Sequence, residues 1–334
     1  MRHQKFLISF FLAILTLLLV VSCQRSPSDT ETSSKVETPS NFQVAMLLSG
    51  SKEDESWSQA GYEGLRAIEK NYQAQIAYQE YVSNVDSEEV MRKYAREGYD
   101  FIIGHSGGYI NSAEIVAQEF PRTKFALITT YPGNNHNLGA VAFRSGEVGY
   151  LTGLLAAMKT QSNKVAYVVG ENYPVYQEEA TLFKRGAEAT NPSVEVFTKF
   201  LGTWTDEEKA TKVALDLLAA GVDIFAFNAD EAGVAAIKTV TKKEGIYVIG
   251  WTKDQYELAP DRILTSVLQD IPQLILNAAT LMQQGRWEGK LYKFGLKEKI
   301  YDFAPFRGML TPEEEAAFNT ARNRVITGEI DIYP

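Results

Sequence analysis

Three short apolar segments of this chain occur twice, in the same order and at nearly the same spacing. The repeated pairs are residues 44–48 with 165–169, 98–102 with 221–225, and 125–129 with 247–251, at offsets of 121, 123 and 122 residues. Any two α/β segments resemble each other to some degree, and chance is the alternative explanation. Since chance does not readily supply a constant offset across three segments, the repeat predicts two similar lobes.

The apolar segments are continuous rather than alternating, and stretches of helical length separate them. The strand-like runs cover residues 44–48, 76–82, 101–103, 125–129, 165–169, 194–200, 224–227 and 247–251. Continuous apolar runs suit strands that are covered on both faces, as in parallel sheets with helices on each side. We therefore predict an α/β protein with two Rossmann-like lobes, each containing a parallel sheet, joined by a hinge.

The order of the runs also predicts which parts of the chain form each lobe. A strand-like run at 263–268 follows the last repeated strand, so we expect the chain to return to the first lobe there. The predicted first lobe comprises residues 42–142 plus 263–288, and the second comprises 143–262 plus 289–334. Because open sheets bind ligands at the carboxyl ends of their strands, we expect a ligand to bind between the lobes.

The first 22 residues have the features of a secretory signal peptide. Arg2 and Lys5 precede an apolar run from residue 6 to 21, and Ser22 stands directly before Cys23, the only cysteine. Residues 20–23, VVSC, resemble the lipobox at which bacterial lipoproteins are cleaved and acylated. A membrane-spanning helix is the alternative, but the run is shorter than the roughly 20 residues that a bilayer core requires. We expect cleavage before Cys23, acylation of its thiol with a fatty acid such as palmitate, and anchoring to the extracytoplasmic face of a cell membrane.

Composition restricts the classes of partner and the source of stability. Residues 23–41 are polar, with one apolar residue after Cys23, and are predicted to form a disordered tether. The net charge is −9, or about −11 without the leader, and no basic run follows the leader. Nucleic acid is therefore not expected as a partner. Because 45% of the residues are hydrophobic, a buried core can stabilise the chain without disulfides. We also expect a monomer.

No catalytic or metal-binding pattern stands out in the sequence. The GxSxG, P-loop and HExxH signatures are absent, and one of the three histidines lies in the leader. The loop at 105–108, HSGG, follows a predicted strand, and we interpret His105 and Ser106 as ligand-binding candidates. A nucleoside hydrolase is disfavoured because Asp54 and Asp230 are the only convenient carboxylate pair. We expect no enzyme activity, no cofactor and no metal.

The loop after the first predicted strand carries a resemblance to a known family. It contains Asp54, Ser56, Trp57, Gln59, Glu63 and Gly64. This pattern resembles the first loop of the basic membrane protein family of substrate-binding lipoproteins, which includes purine nucleoside receptors. Further matches lie at 100–104, 143–153, 202–206 and 263–266, so the resemblance runs from about residue 42 to 271. It implies the type I periplasmic binding protein architecture and an ABC permease as partner.

The resemblance implies an aromatic clamp around a purine ring. The matching positions are Trp57 and Trp204, and stacking of a base on an aromatic face is worth roughly 1–3 kcal/mol. Core packing is the alternative for each tryptophan. Asp54 is expected to accept hydrogen bonds from the ligand, with a helix N-terminal carboxylate as the alternative. Asn228 and Asp230 end a predicted strand of the second lobe and offer further polar groups, with helix capping as the alternative for Asp230.

Two positions depart from the pattern of nucleoside-binding members. Nucleoside-binding members usually have an aspartate at the position of Thr252 and a lysine at the position of Gln269. Those two residues resemble groups that bind the ribose hydroxyls. Trp251 adds an aromatic ring beside them. We include all three as ligand-binding candidates, but the departures weaken the expectation of a ribose contact. A nucleobase is therefore nearly as well supported as a nucleoside.

The sequence thus predicts a lipid-anchored solute-binding protein of an ABC importer, with a purine nucleoside or nucleobase bound between two lobes. Two alternatives remain. One is a ligand-sensing lipoprotein of the same fold that signals to a partner, and the other is a receptor for another small solute.

Overall fold

The computed structural model describes residues 41–54 and 57–333. The predicted signal peptide, the tether up to residue 40, Cys23 and Ser56 lie outside the described residues. Within the described part, none of the helices has the length and apolar character needed to cross a membrane.

The described chain alternates strands and helices. The strands are β1 (Gln43–Leu48), β2 (Gln75–Gln79), β3 (Phe101–His105), β4 (Lys124–Ile128), β5 (Leu138–Phe143), β6 (Lys164–Val169), β7 (Glu195–Phe200), β8 (Ile224–Asn228), β9 (Tyr247–Gly250), β10 (Ile263–Gln269), β11 (Leu291–Phe294) and β12 (Tyr301–Phe303). The α-helices are α1 (Trp57–Tyr72), α2 (Ser87–Arg96), α3 (Ile110–Glu119), α4 (Ser145–Lys159), α5 (Pro174–Thr190), α6 (Glu207–Ala219), α7 (Asp230–Val240), α8 (Ile271–Gln283) and α9 (Pro312–Thr327).

The strands form two six-stranded sheets with the same internal order. The first sheet runs β11-β5-β4-β3-β1-β2 and the second runs β12-β10-β9-β8-β6-β7. All pairings are parallel except that of β12 with β10. Each sheet has a buried apolar cluster on both faces, which explains why its strands read as continuous apolar runs. The predicted pair of α/β lobes is confirmed.

The strand pairing corrects two boundaries expected from the sequence. β10 pairs with β9 in the second sheet, so its predicted placement in the first lobe is wrong. β11 pairs with β5 in the first sheet, although it was predicted to lie in the second lobe. The repeat explains the first difference, because β10 is the counterpart of β5 and joins the second sheet before the chain returns to the first lobe. The return occurs at α8, which packs against α1 as expected.

The chain passes between the lobes three times, after β5, β10 and β11. All three strands leave their sheets at the carboxyl end, so the crossings lie at the ligand-binding edge of each parallel sheet. Backbone hydrogen bonds join the crossings, from Arg144 N to Phe294 O at 2.7 Å and from Asp270 N to Ile300 O at 2.9 Å. The crossing segments are therefore held to one another as a hinge.

Charged side chains also connect the lobes near this hinge. Buried Glu147 on α4 accepts a hydrogen bond from Leu296 N at 2.6 Å and pairs with Arg144 at 3.2 Å. Burial raises the pKa of Glu147, while these two donors oppose the increase. Lys293 of β11 forms an ion pair with Glu178 of α5 at 2.7 Å, which links the first sheet to a helix of the second lobe.

Candidate ligand-binding site

Trp57 and His105 form a stacked pair at the carboxyl edge of the first sheet. Trp57 begins α1 and His105 ends β3, and their ring centroids lie 4.2 Å apart at an interplanar angle of 14°. Trp57 Nε1 donates to the carbonyl oxygen of His105 at 3.0 Å. In return, the Nε2 atom of His105 lies 2.7 Å from the carbonyl oxygen of Trp57. Because a carbonyl only accepts, this contact assigns the imidazole proton to Nε2.

His105 supports this ring pair from a fully buried position. Burial lowers the pKa of His105 to about 4, although the hydrogen bond to Trp57 and the charge of Asp54 oppose that decrease. Its Nδ1 atom is buried without a hydrogen-bond partner among the described residues. Gly61 of α1 leaves the space that the imidazole occupies. The structure therefore places His105 behind Trp57, which argues against the predicted direct contact with ligand.

The other candidates of the first lobe shape the loops of the sheet edge. Both carboxylate oxygens of Asp54 accept backbone hydrogen bonds, from the amides of Ser58 and Gln59 at 2.9 Å each. These contacts agree with the alternative interpretation of Asp54, a carboxylate that binds backbone amides at a helix N-terminus. Ser106 accepts a hydrogen bond from Gly108 N and caps the short 3₁₀ turn after β3. Both residues fix the backbone beside Trp57.

Trp204 lies in the loop after β7, at the carboxyl edge of the second sheet. Its ring is partly buried and lies over the backbone of Gly170, just after β6, where a methyl group would overlap the indole. Tyr176 of α5 packs against the ring edge, with 5.3 Å between centroids and an angle of 65°. Trp204 is therefore supported by protein on one side, as Trp57 is by His105.

Beneath Trp204 lies a buried polar cluster that the sequence interpretation missed in part. Asn228, which ends β8, donates through Nδ2 to Glu179 Oε1 at 2.8 Å, and the hydroxyl of Tyr167 donates to the same oxygen. Glu179 is 1% exposed, and its Oε2 has no partner among the described residues. Burial raises the pKa of Glu179 to about 8, against the effect of both donors. Nothing in the local sequence of α5 distinguishes Glu179 from its neighbour Glu178.

Two residues of this edge have positive φ angles without being glycine. Asp230 is the first residue of α7 and has a φ of 38°. Its surface is exposed, but partial removal of water, with a smaller contribution from Glu231, raises the pKa of Asp230. Thr252 has φ 71°, and the amide of Lys253 donates across it to the carbonyl of Trp251 at 2.9 Å. A β-branched residue at the centre of such a tight turn is strained, and this kind of strain clusters at functional sites.

The last two candidates of the second lobe differ in accessibility. Gln269 ends β10, is partly buried, and its Nε2 lies 3.4 Å from the hydroxyl of Tyr301. Trp251 is only 2% exposed and packs edge-on against Tyr167 in the core of the lobe. This burial argues against Trp251 as a ligand-contacting ring, because its side chain already fills core space between the sheet and its helices.

The structure thus gathers the candidates at the carboxyl edges of two sheets that three crossings hold together. Trp57 and Trp204 are partly buried rings, while Asn228, Asp230, Thr252 and Gln269 lie at or just after the carboxyl ends of β8, β9 and β10. In the described residues no group of histidine, cysteine and carboxylate side chains could hold a metal ion. The arrangement suits the binding of a flat organic solute through stacking and hydrogen bonds.

Comparison with known proteins identifies the family. The family model described as ABC transporter substrate-binding protein, PnrA-like (Bmp), matches residues 42–334. This chain belongs to the Bmp family. The resemblance predicted from the first loop is therefore confirmed, and members of this family are solute-binding proteins, not enzymes. Substrate-binding proteins of ABC transporters act outside the cytoplasm.

Two curated relatives of this Bmp-family chain have different described roles. A transcriptional activator protein, med, of Bacillus subtilis is 27% identical over 291 residues, which cover 87% of each chain. A purine-binding protein of Brucella abortus is 30% identical over 251 residues, covering 73% of this chain and 71% of the relative.

Solved structures support the fold of this Bmp-family chain. The structure of a transcriptional activator of the comK gene from Bacillus halodurans aligns with a TM-score of 0.74 and 24% identity, covering 87% of this chain and 99% of that one. A solute-binding protein of an ABC transporter system from Aeropyrum pernix aligns with a TM-score of 0.69 and 22% identity, covering 87% and 92%. These similarities confirm the type I binding-protein architecture.

Proposed function

We propose that this protein is a lipid-anchored receptor that binds a purine nucleobase or nucleoside between its lobes and delivers it to an ABC importer. The observation that carries the proposal is the pair of supported tryptophans, Trp57 and Trp204, at the carboxyl edges of the two sheets. A ring with protein on one side presents its other side for stacking, and two such rings on separate lobes favour a flat ligand. The similarity to a purine-binding protein supports the same chemical class.

Binding is proposed to close the two lobes about the hinge. A ligand that contacts both lobes interacts more strongly with the closed state and shifts the population toward it. The groups proposed to contact the ligand are Trp57 and Trp204 by stacking, and Asn228, Asp230 and Gln269 by hydrogen bonds. Thr252 and Gln269 are uncharged, whereas the residues that resemble ribose-binding groups in the family are charged. A nucleobase has no ribose, so its binding does not depend on those charged residues.

A thermal-shift screen tests the ligand class. A ligand that binds only the folded protein raises its apparent stability by RT ln(1 + [L]/Kd), so binding at 100 times Kd stabilises it by about 2.7 kcal/mol. Adenine, guanine, hypoxanthine and their nucleosides form the test set, with a panel of sugars and amino acids as the matched control. Stabilisation by purines supports the proposal. Stabilisation by sugars or amino acids alone would refute it.

The anchor is proposed to be a fatty acid on Cys23, followed by the polar tether to residue 41. Labelling of cells with radioactive palmitate should mark the wild-type protein and not the Cys23→Ser variant. The variant should also leave the membrane fraction. A full-length, unlabelled wild-type protein would contradict both the cleavage and the acylation.

Signalling to a partner is the second candidate function. The similarity to a protein described as a transcriptional activator favours it, since that relative covers most of this chain. Uptake of radioactive purine in cells that lack this protein distinguishes the two. Loss of uptake supports transport, whereas unchanged uptake with altered gene expression supports signalling.

A further inference from the structure

The amide of Asn228 is held in one orientation at the carboxyl edge of the second sheet. Its side-chain Nδ2 donates to Glu179 Oε1 at 2.8 Å, and the residue as a whole is 5% exposed. Among the described residues no donor reaches its Oδ1. The backbone carbonyl of Asn228 accepts from Gly170 N at 3.0 Å, and the ring of Trp204 lies over Gly170. The backbone of Asn228 is thus joined to the segment that the proposed stacking ring covers.

Glu179 explains why this amide has one orientation. Its Oε1 receives two hydrogen bonds, from Asn228 and from the hydroxyl of Tyr167, so it acts as an acceptor in the cluster. Burial raises the pKa of Glu179, and because Oε1 already accepts two hydrogen bonds, the carboxyl proton is assigned to Oε2. If the amide turned over, its own oxygen would face Oε1, and two acceptors would lie against each other. The cluster therefore keeps Nδ2 inward and leaves Oδ1 as the amide atom that can meet a ligand.

We propose that Glu179 is a positioning residue that turns the amide oxygen of Asn228 toward the ligand, so that the second lobe selects heterocycles presenting an N–H donor there. This inference rests on the proposed function, and it specifies that the edge of the ligand facing Asn228 must carry a hydrogen-bond donor. A site whose acceptor is covered by the bound ligand discriminates against an analogue without the matching donor, because the acceptor then loses water without gaining a partner.

Hypoxanthine and its 1-, 7- and 9-methyl derivatives test the inference, because each methyl group removes one N–H. Dissociation constants are measured by calorimetry for the wild type and three variants. In the wild type, at least one methyl derivative should bind about tenfold more weakly than hypoxanthine, equivalent to one buried hydrogen bond. The ratio of the dissociation constant of that derivative to that of hypoxanthine should fall toward one in two variants. They are Glu179→Met, which frees the amide, and Asn228→Leu, which removes the acceptor.

Glu179→Gln is the conservative control. Its side-chain oxygen can still accept from Asn228 and Tyr167, so the ratio should stay within about twofold of the wild type. A purely structural role of Glu179 would change stability in Glu179→Met without changing the ratio, and that result would overturn the inference. If Glu179→Met does not fold, Asn228→Leu decides, since an unchanged ratio there would equally overturn it.

Failure of the proposed function has a different signature. A folded wild type that binds none of the four compounds and no other purine would refute the purine proposal, and this inference with it. A wild type that binds hypoxanthine and all three derivatives with equal affinity would refute the inference alone.

Discussion

The indole of Trp57 lies nearly parallel to the imidazole of His105, and each residue accepts a hydrogen bond from the side chain of the other. One face of the indole is therefore occupied by a buried, neutral ring, and the opposite face remains for stacking. Two reciprocal hydrogen bonds fix the ring before a ligand arrives. Such preorganisation lowers the entropic cost of ordering the side chain on binding.

Removing either proposed stacking ring should weaken purine binding more than it destabilises the fold. Trp57→Ala and Trp204→Ala each remove roughly 1–3 kcal/mol of stacking, so Kd should rise by about 5- to 150-fold in calorimetry. Trp287→Phe is the matched control, because Trp287 is 5% exposed and packs against Phe101 in the first-lobe core. The control should lower stability and retain affinity. Wild-type affinity in both alanine variants would disprove the clamp.

Adding a methyl group at Gly170 should displace Trp204. The methyl would overlap the indole, so Gly170→Ala should weaken purine binding and change the tryptophan fluorescence of the folded protein. Gly233→Ala in α7 is the control, since its nearest neighbour is the Cβ atom of Ala229 at 3.3 Å. It should retain affinity and change stability by less than about 1 kcal/mol, because the gain in helix propensity is set against the tight contact with Ala229. Equal affinity of Gly170→Ala and wild type would show that Trp204 does not contact the ligand.

Glu179 should make the protein less stable at alkaline pH. Burial raises the pKa of Glu179 to about 8 from an ordinary value of 4.5, so its stabilising contribution is full below about 4.5 and is lost as pH rises through about 8. Glutamine does not ionise. Urea unfolding at pH 5 and pH 9 should therefore show the stability of Glu179→Gln increasing relative to wild type by up to a few kcal/mol.

The exposed Glu188 on the same helix provides the control for this experiment. Glu188→Gln should follow the wild type at both pH values. If Glu179→Gln also followed the wild type, Glu179 would not change its protonation state between these pH values, contrary to the effect of its burial.

His105 should make the protein less stable in acid. Burial lowers the pKa of His105 to about 4 from 6.5, so its contribution is present above about 6.5 and is lost as pH falls toward 4. The difference in unfolding free energy between pH 7 and pH 4.5 should be smaller in His105→Gln than in wild type by up to a few kcal/mol. The exposed His136 gives the control variant His136→Gln, which should behave as the wild type. Equal differences in all three proteins would contradict the neutral, buried state of His105.

The sequence predicted the two lobes because the repeat involves central strands, whose apolar runs are long and continuous. The same pattern did not predict β5 and β11 as strands. β5 contains Gly139, Ala140 and Ala142, which are not typical strand residues, and β11 has no fully buried residue. Their positions depend on pairing with β4 and β5, and pairing between distant segments cannot be derived from local composition.

The candidate site was predictable where a residue follows a strand, as with Trp57, Trp204 and Asn228. The side-chain environments were not. His105 and Trp251 also follow strands, but packing with Gly61 and Tyr167 turns them inward. Glu179 lies within a helix and reaches the site because α5 packs against β6 and β7, which brings its carboxylate to the side chain of Asn228 at the end of β8. No spacing in the sequence records this tertiary relationship.

The three crossings between the lobes have a consequence for synthesis of the chain on the ribosome. The first sheet receives its last strand, β11, only after residue 294 has been made, and its core also requires Ile275 of α8. The second sheet is completed still later, by β12. Neither lobe can reach its full native core from the residues made first, so nascent chains keep unfinished apolar surfaces until translation is nearly over. A holding chaperone would therefore have a long interval in which to bind them.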